Sequence, residues 1–167
     1  MICVDEFGPL ELRPLHGSSY RRHGKPQRFR ATYTRPHGVR HLFAAYDVRT
    51  KQMWGQIKAR KRGQEFLAFL KALRRRHRGR LWIILDNFSP HLRPDVLAWA
   101  RRNNTRLCFL PTNASWLNLI ECQFTPLKRA VLTCCDHPSH QAMGRAIHRY
   151  LHWRNKRKRI ELSSKRH

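Results

Sequence analysis

The sequence predicts an α/β domain: a mixed sheet with helices on both faces. Two observations carry that prediction. Apolar runs of strand length open the chain with hairpin-like connections, and strand and helix periods then alternate to its end. Size and composition agree with it. At 167 residues the chain has the length of one domain, and 41% hydrophobic content with 5 Trp and 8 Phe supplies a core.

The first strand is expected from Ile2 to Leu12, broken at Gly8-Pro9. Residues 13–40 are basic and punctuated by Gly and Pro, with Arg21, Arg22, Lys25, Arg28, Arg30, Arg35 and Arg40. Without a steady period they read as an arm or loose hairpin. His41 to Asp47 and Gln52 to Ile57 follow as two strands joined by a short polar turn. Over 64–78 the period changes: Phe66, Phe69, Leu70 and Leu73 recur at helical spacing among Lys71, Arg74, Arg75, Arg76 and Arg78, and Gly79 ends the helix. Leu81 to Leu85 is a continuous apolar run, which predicts a strand buried on both faces. Pro94 and Asp95 suit the first turn of a helix reaching Arg102. Arg106 to Leu110 is a further strand, stopped by Pro111. Helices are expected over Leu117–Leu132, bent at Pro126, and over about 139–154. Residues 1–155 thus form the domain, and 156–167 a basic tail.

Charge narrows the function. The 35 Lys+Arg against 10 Asp+Glu give +25, which excludes an ordinary metabolic enzyme as the default and points to a polyanion, most commonly nucleic acid. The longest apolar run, Leu81–Leu85, is far short of the roughly 20 residues of a membrane helix. The 5 cysteines include no Cys-x-x-Cys pair, so reduced thiols are expected rather than a zinc site.

In so basic a chain the acids are informative. Glu11, Glu65, Asp95, Asp136 and Glu161 stand in polar context or at helix ends, and Asp47 closes a strand before a turn. Asp5, Asp86 and Glu121 differ. Asp5 follows Ile2-Cys3-Val4 within a strand, with Glu6 on the opposite face. Asp86 ends the most apolar strand, where open α/β sheets place ligand chemistry. Glu121 lies near a helix start among Leu117, Leu119 and Ile120. Buried carboxylates are costly unless a cation compensates, and three together repel. A divalent metal relieves both penalties, and oxygen-only ligands favour Mg²⁺ or Mn²⁺. Taken singly, each acid has the alternative of an ion pair with one of the many arginines.

Three blocks together resemble a known family: Val4-Asp5-Glu6-Phe7-Gly8-Pro9-Leu10, Leu85-Asp86-Asn87-Phe88-Ser89-Pro90-His91, and Leu110 through Trp116-Leu117-Asn118-Leu119-Ile120-Glu121. They look like the DDE superfamily transposases, closest to the bacterial insertion-sequence group related to mariner elements. Residues 87–120, 34 in number, separate Asp86 from Glu121, the separation typical of that group. The resemblance runs from about Val4 to Lys128.

It implies a ribonuclease H-like fold in which Asp5, Asp86 and Glu121 are the catalytic acids and hold Mg²⁺ or Mn²⁺, two ions in the usual form. Asn87 and His91 match the motif after the second acid, and Lys128 matches a basic residue of the third block. These three and Arg129 are expected to face DNA. Lys128 stands seven residues, two turns, beyond Glu121, on nearly the same helix face. Leu119 replaces the proline the family usually carries after Asn118, which should loosen the start of the helix. The family's N-terminal helix-turn-helix would precede Met1, so the chain reads as a catalytic half: a fragment, a degenerate copy or the second frame of a split element.

The implied chemistry is metal-dependent strand cleavage and strand transfer on double-stranded DNA, both element ends and target, in a nucleoid-associated cytoplasmic protein. The resemblance leaves room for a homodimer and for a helix-turn-helix half supplied separately. Two rivals stand beside it: a ribonuclease H-like nuclease without strand transfer, and a non-catalytic basic nucleic-acid-binding protein. The second gives no reason for acids at the ends of apolar strands, where they would repel phosphate.

Overall fold

The computed structural model describes residues 1–15, 17–18, 22–24, 28 and 37–164. Its elements are β1 (Ile2–Glu11), β2 (Val39–Asp47), β3 (Met53–Lys58), α1 (Gly63–Arg76), β4 (Leu81–Leu85), α2 (Pro94–Arg102), β5 (Thr105–Phe109), α3 (Glu121–Val131) and α4 (His140–Ser164). Single 3-10 turns at Ser89–Leu92 and Ser115–Leu117 precede α2 and α3.

The described sheet has the order β3-β2-β1-β4-β5. β1 lies at its centre, antiparallel to β2 and parallel to β4. The parallel register pairs Ile2 with Ile83 and Cys3 with Ile84. Two residues further along each chain stand Asp5 and Asp86. The pairing that closes the sheet therefore brings the two acids to one place. β1 passes through Gly8-Pro9 without ending; its register with β2 shifts between Phe7 and Leu10 instead.

Alternation along the strands separates two cores. Val4, Phe43, Ala45, Ile83 and Leu85 meet Phe66, Phe69, Leu70 and Leu73 of α1 and Val96 of α2. Cys3, Leu42, Ala44 and Tyr46 meet Phe124, Leu127 and Val131 of α3 and Met143, Ile147 and Leu151 of α4. Each fully buried side chain of this size contributes about 1.5–3 kcal/mol. Asp5 shares the face of Cys3, toward α3. Glu6 shares the face of Val4, toward α1.

Three expectations are corrected. β4 is not buried on both faces: Leu81, Ile83 and Leu85 are buried, but Trp82 is 40% exposed, because α3 and α4 pack over the β1–β3 side of their face. α3 begins at Glu121 rather than Leu117, since a 3-10 turn, the extended Asn118 and a turn at Leu119-Ile120 intervene. The basic residues after 155 are not a separate tail as far as Ser164, because they continue α4. Its last polar turns extend past the buried face that ends at Leu151 and Arg154. Of the expected basic arm, Arg21, Lys25, Arg30 and Arg35 lie outside the described residues, and Arg40 is part of β2. None of the described helices is long and apolar enough to cross a membrane.

Candidate active site

The carboxyl-terminal ends of β4 and β5, the middle of β1 and the start of α3 meet at one end of the sheet. Asp5 is largely buried. Its Oδ1 accepts the Glu6 N–H at 2.7 Å, and its second oxygen has no protein donor among the described residues. Burial pushes its pKa up, and the charges of Glu121, Glu6 and Asp86 add to the rise against that N–H, to about 7. A carboxyl group raised by two acids from distant parts of the sequence reports that the three share one electrostatic environment.

Asp86 lies just past β4, its side chain 40% exposed. Its Oδ1 lies 3.0 Å from His91 Nδ1 in an ion pair and accepts the Phe88 N–H at 3.2 Å, while His91 Nδ1 also hydrogen-bonds the Asp86 main-chain carbonyl at 3.3 Å. The His91 bond is the main cause of a pKa below the usual carboxylate value, with the charges of His91 and Lys61 adding to it. Asn87 ties the site to the sheet edge: its Nδ2 donates to the Leu110 carbonyl at 2.6 Å.

His91 does not face DNA as the sequence suggested. It is wholly buried, with its ring on Phe66 at 4.1 Å between centroids and edge-on to Phe88. Its Nε2 donates to Glu6 Oε1 at 2.9 Å while Nδ1 serves Asp86. Burial alone would lower its pKa, but the two carboxylates outweigh burial and raise it to about 9. His91 is thus an imidazolium at neutral pH, and it joins a buried Glu6 to the exposed Asp86. Sequence reasoning placed Glu6 on the correct face but gave it no role. The signal was present: a carboxylate beside Val4 on a face built of Phe and Leu requires a cation.

Glu121 is exposed at the first turn of α3. Its place is set by Asn118. That side chain is 1% exposed and donates through Nδ2 to the Val4 carbonyl at 2.9 Å. The main chain adds Asn118 N–H to Ser115 O at 2.8 Å and Glu121 N–H to Asn118 O at 3.0 Å. One buried amide therefore pins the start of α3 to the strand residue preceding Asp5, and Leu119 does not undo it.

Lys61, which sequence reasoning missed, sits over the Phe88 ring at 4.7 Å and contributes to the lowered pKa of Asp86. Nothing in its local sequence marks it. Lys128 and Arg129 are exposed on α3, which runs through Pro126. Lys128 lines a cavity of about 320 Å³ with Phe7 to Arg13 of β1 and the residues after it.

The sequence suggests that Asp5, Asp86 and Glu121 converge on a shared metal pair. The described residues bring Asp5 under the influence of both partners, but no three His, Cys, Asp or Glu side chains among them stand close enough to hold one ion. In chemistry the donors fit Mg²⁺ or Mn²⁺: they are all oxygens, and among the described residues Asp5 and Asp86 each keep one oxygen without a protein donor and Asp5 has no cationic partner.

Two outcomes follow from this geometry. Removing one member of a buried ion network costs about 3–5 kcal/mol, so His91→Ala should lower the unfolding free energy from denaturant titration by that amount. Because the folded pKa of His91 lies above its unfolded value, its stabilisation is full below about pH 6.5 and disappears as pH rises through about 9. Wild-type stability should fall over that window, and His91→Gln should remove that part of the slope. Asn118→Ala should cost about 1–3 kcal/mol and speed hydrogen exchange at the first amides of α3. Unchanged exchange there would show that the Val4 tether does not hold the helix.

A family model described as DDE superfamily endonuclease matches residues 1–143. No curated protein matches the sequence. Among solved structures, the Mos1 transposase paired-end complex with left transposon end superposes with a TM-score of 0.68 at 18% identity, over 96% of this chain and 52% of that chain. The Mos1 mariner paired end complex with Mn gives 0.68 at 16%, over 96% and 52%. The Mos1 Strand Transfer Complex gives 0.64 at 16%, over 96% and 54%. At such identities the likeness is one of fold, the ribonuclease H-like fold. The chain spans about half the length of the chains it matches.

Proposed function

The chain belongs to the DDE superfamily endonucleases, and from that membership we propose that it is the catalytic domain of a DNA transposase, cutting and joining DNA strands at Asp5, Asp86 and Glu121. The observation that carries the proposal is geometric: the β1–β4 register sets Asp5 beside Asp86, and Asn118 ties the start of α3, with Glu121, to the main chain of Val4. Three acids from a strand, a strand end and a helix start are held in one field although each repels the others. Stability alone gives no reason for that arrangement.

Asp5, Asp86 and Glu121 would hold divalent cations, two in the fullest form, whose chemistry is to activate an attacking oxygen and neutralise a leaving one. That one of the matched structures is a complex with Mn supports the choice of ion. The chain's own residues prepare the site. Asp5, with a pKa near 7, gives up its carboxyl proton when a cation arrives, so cation binding should strengthen as pH rises through neutrality. His91 fixes Asp86 Oδ1 and leaves the other oxygen toward the cleft. Asn118 holds the main chain that presents Glu121. Lys61 and Lys128 offer positive charge to phosphates on either side of the acids, and Asn87 and Arg129 flank them. The substrates are double-stranded element ends and target DNA. A homodimer and a helix-turn-helix partner region would supply pairing and sequence reading.

The acid cluster can be tested without turnover. At Mg²⁺ or Mn²⁺ about 100-fold above its Kd, the wild type should gain about 2.7 kcal/mol, roughly 5–10 °C in Tm for a domain of this size. Asp86→Asn should lose most of that gain and, because it removes a charge partner of the buried His91, should be less stable than wild type without metal. His91→Gln should weaken metal binding about 10–100-fold. Equal metal-induced shifts in wild type and Asp86→Asn would refute the site.

A nicking assay on DNA carrying element ends then separates roles. Lys128→Ala should slow cleavage and keep the metal-induced shift, whereas Glu121→Gln should damage both. Wild-type cleavage by Lys128→Ala at physiological salt would remove its phosphate role.

A further inference from the structure

The exposed indole of Trp82 carries a guanidinium of Arg80 and one of Arg106, each with its central carbon 5.4 Å from the ring centroid. Trp82 and Arg106 are register partners on β4 and β5, and β5 is an edge strand. Two positive charges on one ring repel, and neither has a carboxylate partner among the described residues. A third, Arg101, joins Arg80 and Arg106 around a cavity of about 470 Å³ that wraps the sheet edge, with Asn104 and no acid in its wall. In free solution this concentration of charge is unfavourable. It suits a polyanion.

The position of the cluster identifies the anion. Cys3 pairs with Ile84, so by alternation Asp5 and Trp82 lie on the same face of the sheet. α3 and α4 leave that part of the face uncovered, and Trp82 stays exposed. Trp82 precedes Asp86 by four residues of extended chain, about 13 Å, which is about four base-pair steps of duplex at ~3.4 Å each. With the indole already engaged by arginine, it has little surface left to stack on a base.

Resting on the function proposed above, we propose that Arg80, Trp82 and Arg106 form a clamp for the phosphate backbone of duplex DNA, a few base pairs to one side of the reacting phosphodiester. Trp82 orients the two guanidinium groups, and the groups bind phosphate. Recognition is independent of sequence, and Arg101 extends the track round the β5 edge.

The test is binding of the full chain to a random-sequence 30-base-pair duplex by fluorescence anisotropy, without divalent metal, across a KCl series. Arg80→Ala/Arg106→Ala should reduce the slope of log K against log salt by about 2. Lys71→Ala/Arg75→Ala removes the same charge from α1, on the opposite face, and should change the slope less. Trp82→Ala removes no charge yet should weaken binding several-fold. Arg80→Lys/Arg106→Lys should fall between wild type and the alanine pair, and it serves as the check if an alanine variant folds poorly. The clamp is overturned if the two alanine pairs lose equal slope, or if Trp82→Ala binds as wild type does. If polyglutamate binding is weakened as much as duplex binding, the surface is an acidic-peptide site and the clamp is again wrong. Failure of the catalytic reading looks different: the metal-induced Tm shift would be absent from wild type while duplex binding kept its dependence on Trp82.

Discussion

Repulsion among carboxylates at one end of the sheet is the constraint to which the rest of the site answers. Asp5, Glu6, Asp86 and Glu121 are drawn there by the parallel pairing of β1 with β4 and by the Asn118 tether. Left uncompensated, they would destabilise the fold. The protein neutralises only part of the charge. His91 answers Glu6 and Asp86 from inside the α1 core, and Lys61 approaches Asp86 from the surface. Among the described residues Asp5 receives a backbone N–H but no cation. The compensation is therefore asymmetric: Asp86 is held ionised and oriented, while Asp5 is left to titrate near neutrality.

That asymmetry depends on the two cores. His91 can be an imidazolium in a wholly buried place only because Phe66 and Phe88 fix its ring while both nitrogens keep acceptors. Phe66 is set by the α1 helix, whose apolar stripe is the clearest helical signal in the sequence. On the other face, Phe7 of β1 stacks on Phe124 of α3 at 4.9 Å. This contact holds the helix bearing Glu121 against the strand bearing Asp5. Each acid is thus positioned by apolar packing beside it, and the repulsion is carried by burial on both faces of the sheet.

What could be read from the sequence follows the same division. Asp5, Asp86 and Glu121 were visible because each interrupts or ends an apolar run, and a carboxylate in such a place requires an explanation. The strands and α1 were visible because period and length agree. His91 was misassigned because its partners are not local: the motif shows a histidine five residues after Asp86, but only the β1–β4 pairing brings Glu6, 85 residues away, to its other nitrogen. Asn118 was visible in its motif but not in its function, since a tether to Val4 exists only after the sheet forms. Lys61 and the paired arginines on Trp82 are ordinary residues in a chain rich in Lys and Arg, and only their neighbours distinguish them. The apolar run Leu81–Leu85 misled for a related reason. Hydrophobicity marks a residue that can be buried, but whether a helix covers it depends on where α3 and α4 pack.

The charge of the whole chain and the acidity of this one end describe a single arrangement. A phosphodiester approaching a cluster of carboxylates is repelled, so an acidic site alone would be a poor place to bring DNA. The net charge of +25 reverses that balance at long range, but a diffuse field does not hold a duplex in register. On the function and clamp proposed above, positive groups set at fixed distances from the acids would. Lys61 on Phe88 and the arginines on Trp82 use the same device, a cation seated on an aromatic face rather than paired with a carboxylate. A salt bridge would orient such a side chain equally well but would cancel the charge needed for phosphate. Aromatic seating orients the cation and leaves its charge available. With 35 Lys+Arg against 10 Asp+Glu in the chain, cations are left over for an external anion even though Arg62 and Arg93 near the site pair with Glu65 and Asp95.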